Sequence, residues 1–157
     1  MDLTRINGLS VTTVMTILSE IGPDLSRFAS VKHFCSWLGL CPGTKISGGK
    51  VLSARTWRST NRVRQALKLA AMSLSRNDSA LGALYRRLCA RMDKPRANTV
   101  VARKLARMVY FMLTRGEAFV DQGQKHYEEQ QQQCSIAALK HHAAALGFHL
   151  KPQAAAA

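Results

Sequence analysis

Glycine and proline cut this chain into helix-length pieces, and inside each piece apolar residues recur at three- and four-residue steps. That period marks one buried stripe on an α-helix, whereas the two-residue alternation of a half-buried strand hardly occurs. The chain therefore reads as all-α, a compact multi-helix domain whose elements pack stripe to stripe around one core. Apolar residues make up 46% of the 157, enough to fill such a core and too many for a disordered chain.

Ser10 or Thr12 caps a first helix that carries Val14, Ile17, Leu18 and Ile21 on one face and stops at Gly22-Pro23. Ser30 caps a second, short helix with Val31, Phe34, Cys35 and Leu38 inside, broken by Gly39. From Cys41 to about Arg55 the period vanishes, and Pro42, Gly43, Gly48 and Gly49 make this a long glycine-containing loop, a length that compact domains reserve mostly for function. Helix returns from about Ser59 to Ser75, with Val63, Leu67, Ala70, Ala71 and Leu74 inward and Arg62, Arg64 and Lys68 on other faces. Asp78 is the expected cap of the next helix, whose stripe is Leu81, Leu84, Tyr85 and Leu88. A long helix follows from Pro95 to Arg115, with Val101, Leu105, Met108, Val109 and Met112 inside, Arg103, Lys104 and Arg107 outside, and Gly116 as its stop. Beyond Phe119 the composition shifts to a glutamine run, Gln130 to Gln133, and an alanine-rich stretch. Residues 1–119 are thus expected to form the domain and 120–157 a helical tail with a disordered end.

Lys and Arg number 23 against 9 Asp and Glu, a formal charge of +14. From Leu25 to Asn77 there is no acidic residue at all. Such a segment repels itself without a polyanion nearby, so nucleic acid is the leading partner class. No stretch approaches the roughly 20 apolar residues of a membrane span, and no signal peptide opens the chain, so a cytoplasmic, nucleoid-associated protein is expected. Cys35, Cys41, Cys89 and Cys134 form no Cys-x-x-Cys pair and read as reduced, mostly buried thiols. His141 and His142 lack further ligands at regular spacing, and the nine acidic residues show no convergent set. The chain itself is expected to hold no metal and no cofactor.

Two stretches could carry chemistry. Ile6-Asn7-Gly8-Leu9-Ser10 is a glycine turn opening a helix, similar to the hairpin of helix-hairpin-helix motifs, and Gly8 would let backbone N–H groups grip a phosphate. Only Met1 to Arg5 precede it, short of the helix such motifs need. Lys45-Ile46-Ser47-Gly48-Gly49-Lys50 places a hydroxyl between two lysines on permissive backbone, but lacks the spacing of a P-loop. From spacing alone it reads either as a passive phosphate contact or as a nucleophile beside charge-stabilising cations. By charge placement Arg55, Arg58, Arg62, Arg64 and Lys68 join Lys45, Gly48, Gly49 and Lys50 as candidate phosphate contacts.

Taken in order, Ile6-Asn7-Gly8-Leu9, Ile17-Leu18-Ser19-Glu20-Ile21-Gly22, Phe28-Ala29-Ser30, Trp37-Leu38-Gly39-Leu40-Cys41-Pro42, Ser47-Gly48-Gly49-Lys50 and Asn61-Arg62-Val63-Arg64 resemble the C-terminal domain of insertion-sequence transposases of the one-ten family, grouped with insertion sequences one-sixteen and nine-oh-two. The resemblance runs from Leu3 to about Phe119, with similar fragments in the tail. It implies a DNA recombinase in which an N-terminal RuvC-like domain binds magnesium through a DEDD carboxylate set and the C-terminal domain supplies a serine. Carried onto the matching motif, that serine is Ser47, the nucleophile on a DNA phosphodiester, which forms a covalent 5′-phosphoserine-type linkage at a site completed by another subunit's acidic domain. The resemblance further implies a bridge RNA that pairs with the DNA, and either a homo-oligomer or association with full-length transposase. The RuvC-like part lies outside these residues, so the chain resembles a truncated frame, a split product or an isolated domain, inactive alone. Where the family has Ile-Ser-Lys-x-Gly-Asn before the basic helix, this chain has Thr56-Trp57-Arg58-Ser59-Thr60-Asn61. Two competing readings are a non-catalytic helix-hairpin-helix module that binds nucleic acid, and a structural RNA-binding protein.

Overall fold

A computed structural model of the chain describes residues 2–57, 59–116 and 123–148. Among these residues six helices follow in order: α1 (Val11–Ile21), α2 (Val31–Trp37), α3 (Arg62–Ser73), α4 (Ala80–Arg91), α5 (Lys94–Arg115) and α6 (Gly123–Ala145). Between α2 and α3 stands an antiparallel ribbon of β1 (Lys45–Ser47) and β2 (Lys50–Ser53). The fold is mostly α, with this one small sheet among the described residues.

The central pair is α3 and α5, with α1 against α3, α2 and α4 against α5, and α6 against α4. The pairing follows from composition. On α5 the buried side chains Ala97, Ala102 and Ala106 alternate with Val101, Leu105 and Val109, and the small ones let α3 approach with its own Ala70 and Ala71. Phe34, Leu38 and Leu40 from the α2 region close one end, fully buried. Each such side chain contributes roughly 1.5–3 kcal/mol by leaving water.

Local chemistry sets the helix ends. Ser10 Oγ accepts from the Thr13 amide (3.2 Å) and Ser30 Oγ from the His33 amide (3.4 Å), satisfying first-turn donors of α1 and α2. Pro95 sits in the first turn of α5, and Gly116, left-handed at φ 66°, ends it.

Four expectations need correction. The long loop is not irregular throughout: Gly48 (φ 54°) and Gly49 (φ 75°) give the two positive φ angles that a two-residue hairpin turn demands, so Lys45–Ser53 pairs as a ribbon. The cap of α4 is Ser79, not Asp78. Ser79 is 1% exposed, and its Oγ accepts from the Gly82 amide at 3.1 Å. The helix expected from Ser59 begins at Arg62, because Asn61 Oδ1 takes the Arg64 amide (3.2 Å), and a single 3-10 turn, Leu74–Arg76, replaces its last residues. Arg64 lies inward rather than on an outer face, only 8% exposed.

Before the Gly8 turn stands one 3-10 turn, Leu3–Arg5, instead of the helix of a helix-hairpin-helix. The tail's glutamine run lies in α6, where Arg87 donates to Tyr127 Oη at 3.3 Å from α4. The proposed division near residue 119 and the final alanines lie outside the described residues.

Candidate nucleic-acid interface

The ribbon stands off the core. Both strands are exposed except for the partial cover of Ser53. Side chains alternate along a strand, which puts Lys45 and Ser47 on one side of β1, with a register irregularity between Lys45 and Ile46 where β2 carries one extra residue. Lys50 is the cross-strand partner of Ser47 in the register Ser47↔Lys50, and such pairs bring Cβ atoms to about 4.5–5.5 Å. Ser47 is thus exposed at the tip with Lys50 as its cross-strand partner and Lys45 two residues before it, and Gly48 and Gly49 carry the turn beside it. The opposite face holds Ile46 and Val51, 65% and 61% exposed. Two cations beside a serine stabilise negative charge on its oxygen or on a phosphate in contact with it. The ribbon has no His, Asp or Glu, so it offers a nucleophile and its electrostatic support without a carboxylate or imidazole base.

At its base the ribbon joins the helices. A bridge between Pro42 and Thr56 and a hydrogen bond from the Gly43 amide to the Arg55 carbonyl (2.9 Å) close it. Beside this closure opens a cleft of about 880 Å³, walled by the ribbon base, α3 and the first turns of α5. Arg55, Lys68, Arg96 and Arg103 line it, and no carboxylate does. A second, shallower depression at the start of α3 is lined by Ser59, Thr60, Arg64, Gln65 and Lys68. Lys68 belongs to both. Burial, and next to it the charge of Arg64, hold the Lys68 ammonium below the ordinary lysine range. The start of a helix, two hydroxyls and a lysine form a surface suited to phosphate.

The structure thus gathers the expected cations into two groups, Lys45 and Lys50 with Ser47 at the tip, and Arg55, Lys68 and Arg64 at the base. Others have different surroundings. Arg62 pairs with Glu20 of α1 at 3.5 Å in an exposed ion pair. Arg64 Nη1 donates to the Trp57 carbonyl at 2.8 Å and pins the segment that leads into α3. At Gly8 (φ +92°) a Cβ would lie 2.9 Å from Leu74 Cγ and 3.0 Å from the Ala70 carbonyl, so its lack of a side chain serves close packing on α3. Arg58 lies outside the described residues. Arg96 and Arg103 were missed as site residues. Their signal was the spacing of Arg96, Thr99, Val100 and Arg103, one stripe of α5. Trp57, 69% exposed with its indole edge against Gly43, is a further surface aromatic beside the cations.

Four of the described acidic residues have partners of their own. Glu20 is paired with Arg62 and Asp93 with Arg96 (3.3 Å). Asp2 and Asp24 accept from Thr4 and Ser26, hydrogen bonds that hold both carboxyls below the usual range. Among the described residues no three His, Cys, Asp or Glu side chains come together around a metal position. The four cysteines are free thiols, with Cys35 buried and Cys134 exposed. No described helix is long and apolar enough to cross a membrane.

Comparison with known proteins bears on this arrangement. Over 123 residues, 76% of this chain, the sequence is 31% identical to an insertion element IS110 uncharacterized 43.6 kDa protein of Streptomyces coelicolor. The matched part is 29% of that relative's length. No solved structure matches. The transposase IS116/IS110/IS902 family matches residues 2–86, more than half of the chain, from the Gly8 turn through the ribbon and α3 into α4. With that match over the residues that build the ribbon and its base, the chain belongs to the IS116/IS110/IS902 transposase family, as its C-terminal domain.

Proposed function

We propose that this domain holds nucleic acid for a serine-type strand exchange and supplies Ser47 as the nucleophile on a DNA phosphodiester. The observation that carries the reading is the ribbon, which presents an exposed serine between Lys45 and Lys50 on a glycine turn. Attack by the serine oxygen forms the new O–P bond as the P–O bond to the leaving sugar oxygen breaks, and the serine proton leaves to a base. No carboxylate or imidazole lies on the ribbon, so the reading requires the acidic domain of another subunit to supply that base and to hold magnesium. Arg55, Lys68 and Arg96 at the ribbon base would hold the backbone. They carry charge without reading bases, which suits a system in which a bridge RNA selects the sequence.

The test is a salt titration of DNA and RNA binding by the full chain. The reading predicts a linear fall of log K with log salt, and a slope that loses about one unit for each phosphate-contacting cation removed in Arg55→Gln and Arg96→Gln. Ser47→Ala is expected to bind like the parent. Salt-independent binding, or no binding at low salt, contradicts the reading. Loss of RNA binding in Ser47→Ala would also contradict it.

A further inference from the structure

The large cleft is built differently from the rest of the basic surface. Its cations come from three separate elements: Arg55 from the ribbon base, Lys68 from α3, and Arg96 and Arg103 from α5. Between them the lining is mostly apolar, with Pro42, Pro95 and Val100 among its residues and the hydroxyls of Thr56 and Thr99 beside them. A duplex presents phosphates and sugars outward and hides its base faces in the stack, so a surface that holds only duplex backbone has no use for an apolar wall. The volume of about 880 Å³ lies within the range of sites that enclose one small organic ligand.

A second observation comes from Arg103. Its Nε is buried and has no acceptor among the described residues. The Arg103 side chain stands beside the buried Cys35 thiol, which fixes its guanidinium at the cleft wall. Arg96 and Arg103 stand seven residues apart on α5, about 10 Å along its axis, so the two guanidinium groups can meet separate parts of one extended ligand. A flat, weakly polar body with acceptor atoms on its edge and an anionic group attached fits this lining, and a nucleotide has that make-up.

We propose that this cleft receives a single unstacked nucleotide of the bound strand, with its base against Pro42, Pro95 and Val100, an acceptor of the base on Arg103, and its phosphates on Arg55 and Lys68. The inference rests on the reading of the domain as a nucleic-acid holder and adds where a base leaves its stack. The strand that donates the nucleotide is DNA or RNA, and the chemistry of the pocket is common to both.

The test measures binding of the full chain, by fluorescence anisotropy, to three fluorescent duplexes of equal length: one fully paired, one with a single bulged nucleotide, and one with an abasic residue at the bulge. DNA and RNA versions of each separate the two sources. The expected result is a preference of about tenfold for the bulged duplex over both others, in at least one of the two acids. The preference is expected to fall to within about twofold in Arg103→Gln and in Val100→Glu. Val100 is 44% exposed, so its substitution leaves the core intact even where Arg103→Gln weakens folding. Equal binding of all three duplexes overturns the pocket and leaves the domain a backbone binder. A preference that survives both substitutions places the unstacked nucleotide elsewhere and also overturns it. Failure to bind any duplex overturns the nucleic-acid reading itself.

Discussion

Replacing both turn glycines, Gly48→Ala with Gly49→Ala, isolates what the ribbon contributes. Both positions have positive φ, 54° and 75°, and an L side chain in the left-handed region costs roughly 1–2 kcal/mol per residue. The pair therefore carries roughly 2–4 kcal/mol of strain if the turn keeps its shape. No atom stands within 4 Å of either added Cβ, so steric overlap adds nothing to this figure. A two-stranded ribbon in water is marginal on its own, so strain of this size opens it. The helical core shares almost no buried surface with the strands and should not feel the change. Amide hydrogen exchange at Ser47 and Lys50, the hydrogen-bonded pair that flanks the two-residue turn, is expected to reach the rate of an unstructured chain. The thermal midpoint should move by less than about 1 °C, under the roughly 2–4 °C that a full kcal/mol gives in a domain of this size. Strand transfer reconstituted with the acidic domain of a relative should fall with the ribbon. A drop of many degrees in the midpoint would show that the ribbon is part of the core. Unchanged protection would show that the turn does not need glycine.

Three further outcomes follow from the structure. Ser79→Ala should cost about 1 kcal/mol in urea unfolding and Asp78→Ala almost nothing, because Ser79 caps α4; the reverse order would restore Asp78 as the cap. Arg64→Gln should lower stability by roughly 1.5–3 kcal/mol, since the buried hydrogen bond to the Trp57 carbonyl has a charged donor, and a neutral result would make Arg64 a free surface cation. Lys68 has its proton affinity depressed by burial, so the unfolded chain holds more protons than the folded one between the folded value and the ordinary 10.5. The penalty is full below that window and fades as pH rises through it. Lys68→Met should therefore be at least as stable as the parent at pH 7 in urea melts, with the difference shrinking toward pH 10, and yet bind nucleic acid more weakly. A variant clearly less stable at pH 7 would contradict this sign.

Most helices were legible because period and cap agreed: Ser10 with Val14 and Ile17, Ser30 with Phe34, and Pro95 through Gly116 are local signals that the core reinforces. The ribbon was not. Its turn signal, Gly48-Gly49 between Ile46 and Val51, was present, but strands of three and four residues are too short to show alternation, and both faces stay exposed. Asp78 and Ser79 are both good caps, and only the direction in which the chain leaves the Leu74–Arg76 turn selects between them. The inward turn of Arg64 depends on a carbonyl seven residues earlier, and the cleft joins α5 to a ribbon some forty residues away, so neither has a local signature. Ser47 was singled out by its lysines and by family resemblance, while the common face it shares with them needed the strand register.

The most direct test of the central claim is to trap the covalent intermediate. The full chain is mixed with the acidic domain of a family member, its bridge RNA, magnesium and end-labelled DNA, and the products are resolved under denaturing conditions. The account predicts a labelled adduct whose linkage maps to Ser47 by peptide mass spectrometry and which is absent in Ser47→Ala, while that variant still binds the DNA. An adduct that persists in Ser47→Ala, or maps to another residue, would contradict it.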